Sequence, residues 1–176
     1  VPVVPRVNVT YLIGLVAPAR GALALLLGAS LPGQNRVVDL VDVSLADLPG
    51  RVEALRSFDC LVFNDVDTSS LSPEQATALE AWVQQGGRLV VGGGAGARRT
   101  AAGLSASLLP VLPRSEVDLE SVAALAGLAG GEAIRVPGPF LAAAGDLAQG
   151  QTLAAEGEFA LIRERLVGNG SVDWVA

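Results

Sequence analysis

The sequence predicts one α/β domain in which helices cover both faces of a mainly parallel sheet. Over its first half, apolar runs of strand length alternate with segments of helical periodicity, at the spacing of βαβ units. The 176 residues are 51% hydrophobic and 17% charged, which provides enough apolar material for one sizeable core. Because no linker or repeat divides the chain, we treat residues 1–176 as a single domain.

The first half of the chain contains the better-defined predicted elements. Its third helix has the strongest signals, because Ser72 can cap it, Pro73 suits its first turn and Gln75 stands where a capping-box partner belongs. Gly86 and Gly87 then supply a left-handed end. Strands are predicted at residues 7–13, 36–43, 59–64 and 88–91, and helices at residues 18–27, 46–55 and 73–85.

The second half is predicted to be less regular and to end in an antiparallel hairpin. Two apolar runs, 159–167 and 172–175, flank residues 168–170, whose sequence Gly-Asn-Gly is typical of a tight turn. Pro110 and Pro113 are expected to stop the helix before them. The remaining predicted elements are helices at residues 100–109 and 121–128 and a strand at 134–136.

The composition excludes several kinds of chemistry. The chain has no His and no Lys, and its single cysteine, Cys60, stands within a predicted buried strand. Because an activated nucleophile usually needs a His or Lys base, no Ser-His or Cys-His arrangement is expected. Zinc sites need imidazole or thiolate ligands, so no zinc site is expected, and we expect no cofactor either.

Charge and hydropathy exclude two classes of partner. The net charge is −6, and the twelve basic residues, all Arg, are scattered along the chain and form no basic patch for phosphates. Aromatic residues, on which bases could stack, are also few, so nucleic acid is not expected to bind. The longest apolar stretch, 11–31, contains Pro18 and Arg20, so membrane attachment is expected only through segments outside this chain.

The chain begins without Met and stops within an apparent strand, which predicts a segment of a larger protein.

An acidic pair, Asp65 and Asp67, follows the third predicted strand. The sequence Phe-Asn-Asp-Val-Asp-Thr around it resembles the phosphotransfer loop of haloacid-dehalogenase-type phosphatases. Ser69 stands where that loop has Thr or Val, and the chain has no Lys to serve as its partner. Two interpretations remain: a site for a hard metal ion, or a polar loop whose side chains bond to nearby backbone amides.

A glycine turn follows the fourth predicted strand. Residues 92–97 read Gly-Gly-Gly-Ala-Gly-Ala and match the pattern G-x-G-x-x-A, in which backbone amides can face a phosphate. Arg98 and Arg99 follow directly and could add positive charge. A chain with 21 Gly produces such matches by chance, so the turn is either a ligand loop or a plain connection between a strand and a helix.

Four segments carry a resemblance to a known family. They are 58–65 (FDCLVFND), 71–75 (LSPEQ), 82–93 (WVQQGGRLVVGG) and 108–111 (LLPV). Together they resemble the class I glutamine amidotransferase-like domains of large bacterial membrane-anchored proteins. The resemblance implies a flavodoxin-like three-layer sandwich with a mainly parallel sheet, with which a C-terminal antiparallel hairpin is compatible.

The resemblance also implies where a nucleophile would lie. Active members carry a cysteine on the turn after the strand that matches residues 88–91, supported by His and Glu. In this chain Gly93, Gly94 and Ala95 occupy that turn, and Cys60 stands on the preceding predicted strand. The resemblance therefore implies a fold without its hydrolysis.

We expect a non-catalytic module of a larger, membrane-tethered bacterial protein, located outside the cytoplasmic membrane and acting in protein interaction or as a structural domain. Its partners would be other domains of the same protein or another protein. The alternative is a domain that binds a small anionic or sugar-like molecule, or an atypical hydrolase, at the glycine turn. Any site would lie at the carboxyl ends of the strands, where the candidates are Asn64, Asp65, Asp67, Gly93, Gly94, Ala95 and Arg98.

Overall fold

The computed structural model describes residues 10–19, 21, 23–30, 36–128, 130–131 and 137–176. The α-helices of these residues are α1 (Val52–Leu55), α2 (Pro73–Gln84) and α3 (Ala97–Ala101). Their strands are β1 (Thr10–Val16), β2 (Val37–Asp42), β3 (Cys60–Phe63), β4 (Arg88–Gly92), β5 (Val111–Leu119), β6 (Phe140–Leu147), β7 (Gln151–Glu156), β8 (Phe159–Val167) and β9 (Gly170–Val175).

Seven of the strands form one sheet in the order β2-β1-β3-β4-β9-β8-β7. The first five of these run parallel, and β8 and β7 add two antiparallel pairings at one side. Strands β5 and β6 form a separate antiparallel pair. This is the α/β, flavodoxin-like architecture that the sequence predicts, and β8 and β9 form the predicted C-terminal hairpin around Gly168 and Asn169.

The main core lies between the sheet and α2. The helix buries Leu79, Trp82 and Val83, which belong to the same apolar cluster as Leu61 of β3 and Trp174 of β9. Each such side chain stabilises the fold by about 1.5–3 kcal/mol relative to an exposed position. The opposite face of the sheet carries a smaller buried cluster of Ile13, Val38 and Cys60.

Helix α2 forms as its sequence signals predict. The Ser72 hydroxyl accepts a hydrogen bond from the Gln75 amide at 3.2 Å, and the Gln75 side chain accepts one from the Ser72 amide at 2.9 Å, which completes the capping box. The Gln75 side-chain amide also donates to the Leu48 carbonyl at 2.7 Å. The cap therefore ties the start of α2 to the segment that precedes α1.

Two helices predicted in the first half are shorter in the structure. Of the segment 18–27, the described residues form only a 3-10 turn at Ala24–Leu26, because Gly21 adopts a left-handed conformation with φ of 71°. The segment 46–55 is divided into a 3-10 turn at Leu45–Asp47 and the single turn of α1, because Pro49 and Gly50 interrupt it.

Two helices predicted in the second half are also displaced or tightened. In place of 100–109, the chain forms α3 at Ala97–Ala101, after which a Cβ at Gly103 would overlap the Thr68 carbonyl. In place of 121–128 it forms a 3-10 helix at Ala123–Gly127. Within the described residues, no helix has the length and apolar character needed to cross a bilayer.

Strands β5, β6 and β7 were absent from the sequence prediction. Strands β5 and β6 pair antiparallel across a long sequence separation, as between Val111 and Leu147, whereas β7 forms a hairpin with β8. The sequences of β6 and β7 are rich in Ala, which is a weak signal for a strand. Pro113 lies at an irregularity of the β5–β6 register, where a missing amide donor is tolerated. The strand predicted at 134–136 and the first residues of the strand predicted at 7–13 lie outside the described residues.

Candidate functional site

The strand order creates a crevice at the carboxyl edge of the sheet. Strand β2 lies on one side of β1 and β3 lies on the other, so the connections that leave the ends of β1 and β3 diverge. In open α/β sheets, ligands bind where the strand order reverses in this way. A cavity of about 690 Å³ lies at this point, and we call it the switch-point cavity.

Three loops and one helix line the switch-point cavity. The apolar part of the lining comes mainly from the ends of β1 and β2 and from the loops that follow them, with Val66 from the loop after β3. The polar part combines carboxylates, one hydroxyl and one guanidinium. The lining residues are Val16, Ala17, Pro18, Asp42, Val43, Ser44, Leu45, Asp65, Val66, Asp67 and Arg99.

An ion pair forms one wall of the cavity. Arg99 of α3 donates from Nη2 to Oδ1 of Asp65, and about half of each side chain is exposed, at 55% and 46%. Asp65 has a φ of 53°, a left-handed conformation that only a small share of non-glycine residues adopt. This ion pair holds the Asp65 carboxylate beside the cavity. It also means that the guanidinium of Arg99, the one in the lining, already has a carboxylate partner.

Asp67 begins a 3-10 turn at the same wall. Its Oδ1 accepts hydrogen bonds from the Ser69 hydroxyl at 2.6 Å and from the Ser69 amide at 3.0 Å. These two hydrogen bonds lower the pKa of Asp67 below its ordinary value. The carboxylate is therefore ionised at neutral pH. The polar-loop interpretation of this segment fits these bonds.

Asp42 and Ser44 contribute from the end of β2. Oδ1 of Asp42 accepts from the Gly21 amide at 3.3 Å, and the Ser44 hydroxyl accepts from the Ala46 amide at 3.3 Å, where it caps a 3-10 turn. Both side chains are exposed. Sequence reasoning missed these two residues, because only the strand order, with β2 beside β1, brings the end of β2 to the cavity.

A pair of buried threonines fixes the cavity wall to α3. The Thr68 hydroxyl donates to the Thr100 carbonyl at 2.9 Å and accepts from the Gly103 amide at 2.8 Å. The Thr100 hydroxyl in turn accepts from the Val66 amide at 3.2 Å. Both threonines are fully buried. This threonine clamp, Thr68 with Thr100, sets the position of the loop that carries Asp65 and Asp67.

The glycine turn lies one strand away from the cavity and is closely packed. A Cβ at Gly92 would overlap the Asn64 side chain, and a Cβ at Gly93 would lie 2.5 Å from the carbonyl carbon of Ala176. Gly94 has more room, since the nearest atom to a Cβ there, the Leu141 carbonyl oxygen, is 3.6 Å away, but its φ of 71° favours glycine.

The structure brings together only part of the predicted site. Asp65 and Asp67 line the cavity, whereas Asn64 packs beside the glycine turn. Gly93, Gly94 and Ala95 form the turn itself and do not line the cavity. Arg98 is exposed on α3, and the neighbouring residue Arg99 takes the place at the cavity wall.

Cys60 lies in β3 with its side chain on the face of the sheet opposite α2. It is 5% exposed and packs with Ile13 and Val38. Burial raises the pKa of the Cys60 thiol to about 12. Because this value lies above the ordinary 9.0, the neutral thiol favours folding below pH 9, and this contribution is lost as the pH rises toward 12.

We expect Cys60 to be unreactive in the folded protein. At pH 8, labelling by a chromogenic disulfide reagent should be more than about 100-fold slower than in the guanidinium-unfolded chain, because the thiolate and access to it are both suppressed. The unfolded chain serves as the control and should release one equivalent of the chromophore. Labelling of the folded protein at the rate of a free cysteine peptide would contradict the burial of this thiol.

Within the described residues, Asp65 and Asp67 do not belong to a cluster of three or more metal-ligating side chains. Among the described residues, no group of three or more His, Cys, Asp or Glu side chains stands close enough to hold a metal ion. The phosphotransfer interpretation, which needs a hard ion beside both carboxylates, therefore gains no ligand set from this part of the chain.

Solved structures of low sequence identity share this fold. The cytoplasmic protein STM3548 from Salmonella typhimurium matches with a TM-score of 0.65 at 13% identity, over 94% of this chain and 86% of its own. The cytoplasmic protein STM1381 from Salmonella typhimurium LT2 matches with a TM-score of 0.60 at 16% identity, over 95% and 87%. No protein-family model matches the sequence, and no curated protein matches it significantly.

The same fold also occurs within longer chains. A β-galactosidase from Bacillus circulans sp. alkalophilus matches with a TM-score of 0.55 at 12% identity, over 96% of this chain but only 28% of its own. A β-galactosidase from Rahnella sp. R3 matches with a TM-score of 0.51 at 15% identity, over 93% of this chain and 28% of its own. At these identities the likeness shows the fold alone.

Proposed function

We propose that this chain is a non-catalytic, amidotransferase-like module of a larger, membrane-tethered bacterial protein, located outside the cytoplasmic membrane. It acts through contacts with other domains of that protein or with another protein, or as a structural domain. The observation that supports this proposal most is the packing of the glycine turn. Gly93 stands where active enzymes of the resembled family carry their nucleophile, and it lies against the backbone of Ala176.

The residue types of the chain support the same proposal. With no His and no Lys, hydrolysis at the turn would lack the usual base, and Gly93, Gly94 and Ala95 offer no nucleophile. Cys60 cannot substitute for one at neutral pH, because its thiol is buried and its pKa is raised to about 12. A role in binding or assembly fits these features better than amide hydrolysis.

Modular use of the fold supports the part of the proposal that concerns a larger protein. In the two β-galactosidases, the matched region is 28% of the chain, so a unit of this size is joined there to much more protein. We extend this arrangement to the present chain as a proposal: the module is one part of a longer polypeptide whose other parts provide the membrane anchor.

A glutaminase assay on isolated membranes tests the proposal with the full-length protein. We expect the protein in the membrane fraction, and we expect ammonia release from glutamine no faster than in membranes that lack the protein, for the wild type and the Cys60→Ala variant alike. A known glutaminase serves as the positive control. Turnover that survives Cys60→Ala, or that disappears with it, would contradict the non-catalytic role, and recovery of the protein outside the membrane fraction would contradict the tether.

A second candidate function, the binding of a small molecule, is favoured by the switch-point cavity. Its volume of about 690 Å³ falls in the range of ligand sites, about 300–1,000 Å³. The cavity also lies where α/β sheets bind their ligands. The ligand would occupy the crevice between the loops after β1 and β3 rather than the glycine turn.

A further inference from the structure

The charge of the switch-point cavity restricts what could enter it. Its lining holds three carboxylates, from Asp42, Asp65 and Asp67, against the single guanidinium of Arg99. That guanidinium is already paired with Asp65. The whole chain has a net charge of −6, so no excess of positive charge elsewhere offsets the lining. A phosphate or carboxylate ligand would therefore meet like charges, which disfavour its binding.

The carboxylates offer hydrogen-bond acceptors that a ligand could use. In the part of the chain that the structure describes, Asp42 and Asp67 accept their hydrogen bonds through Oδ1 alone, which leaves Oδ2 of each as an acceptor. Ionised carboxylates only accept hydrogen bonds, so the matching groups on a ligand are hydroxyl or ammonium donors. Hydrogen bonds to ionised groups are stronger than those between neutral groups.

Apart from the Ser44 hydroxyl, the rest of the lining is apolar. Val16, Ala17 and Pro18 lie on the β1 side, and Val43 and Leu45 lie on the β2 side. Such a lining removes the carbon skeleton of a ligand from water while the carboxylates orient its donors. Since the described residues hold no cluster of three metal-ligating side chains, the acceptors suit donors spread over an organic molecule better than a single ion.

We propose that the switch-point cavity binds a neutral or cationic small molecule that carries several hydroxyl or amino donors, of the size of an amino sugar, and rejects phosphorylated ligands. This inference rests on the second candidate function, small-molecule binding, and adds the ligand class to it. It is independent of the proposed non-catalytic role.

Three related probes separate the ligand class from binding itself. Titration calorimetry of the 176-residue chain with glucosamine, glucose and glucose 6-phosphate compares a cation, a neutral molecule and an anion on the same carbon skeleton. We expect glucosamine to bind most tightly and glucose 6-phosphate at least about tenfold more weakly. Because exposed charges are screened by salt, the advantage of glucosamine over glucose should decrease as the ionic strength rises.

Single substitutions connect the binding to the cavity. Asp67→Asn and Asp42→Asn should each weaken glucosamine binding by about fivefold to tenfold, the loss expected when a hydrogen bond to a charged carboxylate becomes one to a neutral amide oxygen. Asp118→Asn, at an exposed position of β5 away from the lining, is the matched control and should leave the affinity unchanged. An equal loss in all three variants would overturn the assignment to this cavity.

The remaining outcomes have distinct meanings. If glucose 6-phosphate binds as tightly as glucosamine, the ligand class is wrong while small-molecule binding stands. If none of the three probes binds at millimolar concentration, both the ligand class and the second candidate function are overturned. Neither result bears on the glutaminase assay, so failure of the non-catalytic proposal remains a separate finding.

Discussion

The Trp174→Ala variant is expected to lose about 3–5 kcal/mol of the free energy of unfolding, the usual cost of removing a buried aromatic side chain. Trp174 is the largest of the fully buried side chains, with 0% exposure, and it lies on β9 in the middle of the sheet. Truncation removes its contacts with the core beneath α2 and leaves a cavity that the rigid sheet cannot close.

Urea denaturation followed by circular dichroism measures this loss. Leu25→Ala is the control for a large apolar residue at the surface, since Leu25 is 99% exposed, and it should change the free energy of unfolding by less than about 0.5 kcal/mol. If Trp174→Ala does not fold, Trp174→Phe provides the measurement. Among the described residues the indole Nε1 has no hydrogen-bond partner, so phenylalanine should cost only about 1–2 kcal/mol.

Equal losses in Trp174→Ala and Leu25→Ala would contradict the central position of Trp174 in the core. A Trp174→Phe variant that is as unstable as Trp174→Ala would instead show that the indole nitrogen has a partner after all. The two comparisons therefore test the packing and the hydrogen bonding of this side chain separately.

The second large effect is expected from Thr68→Val, which breaks the threonine clamp. Valine has nearly the same shape as threonine, but it removes the partner of the Thr100 carbonyl and of the Gly103 amide. An unsatisfied buried polar group costs about 1–3 kcal/mol, so we expect the variant to lose about 2–4 kcal/mol of the free energy of unfolding.

Thr77→Val is the matched control for this substitution. Thr77 is exposed on α2, and its hydroxyl donates to the Pro73 carbonyl of its own helix at 2.8 Å, so the loss should stay within about 0.5 kcal/mol. In amide NMR spectra, Thr68→Val should also shift the signals of Val66 and Arg99, which lie on the two segments that the clamp joins. Equal losses in the two variants, with unmoved signals, would refute the clamp.

Local signals were sufficient to predict the parallel half of the sheet. Helix α2 carries its own start and stop signals, from the capping box at Ser72 and Gln75 to the glycines after Gln85, and it forms within one residue of the predicted range. Strands β3 and β4 lie on either side of it and, after Arg88 at the start of β4, are continuous apolar runs, as expected for strands buried on both faces.

The antiparallel additions could not be predicted in the same way. Strand β6 reads Phe-Leu-Ala-Ala-Ala-Gly-Asp-Leu, a sequence of low intrinsic β-propensity that becomes a strand because it pairs with β5. Pro110 and Pro113 were interpreted as stops for a helix, but Pro113 lies within β5 at a register irregularity. In these segments the long-range pairing decides the local structure.

The candidate site also combines residues that local sequence signals predict with residues whose position depends on the three-dimensional fold. The position of Asp65 and Asp67 after a buried strand was enough to predict that they lie at the carboxyl edge of the sheet. The contribution of Asp42 and Ser44 depends on the strand order, which places β2 beside β1 and leaves the crevice between β1 and β3. The choice between Arg98 and Arg99 depends on the rotation of a five-residue helix, α3, which no periodicity in the sequence indicates.

The position of β9 in the sheet affects how this domain folds while it is being synthesised on the ribosome. Strands β2, β1, β3 and β4 can pair soon after they emerge, but β4 must wait for β9, which is synthesised much later, to cover its other edge. Throughout that interval the nascent chain presents an open, apolar strand edge, which is a template for pairing with a foreign chain. Until β9 is synthesised, the uncovered edge of β4 therefore leaves the nascent chain open to aggregation.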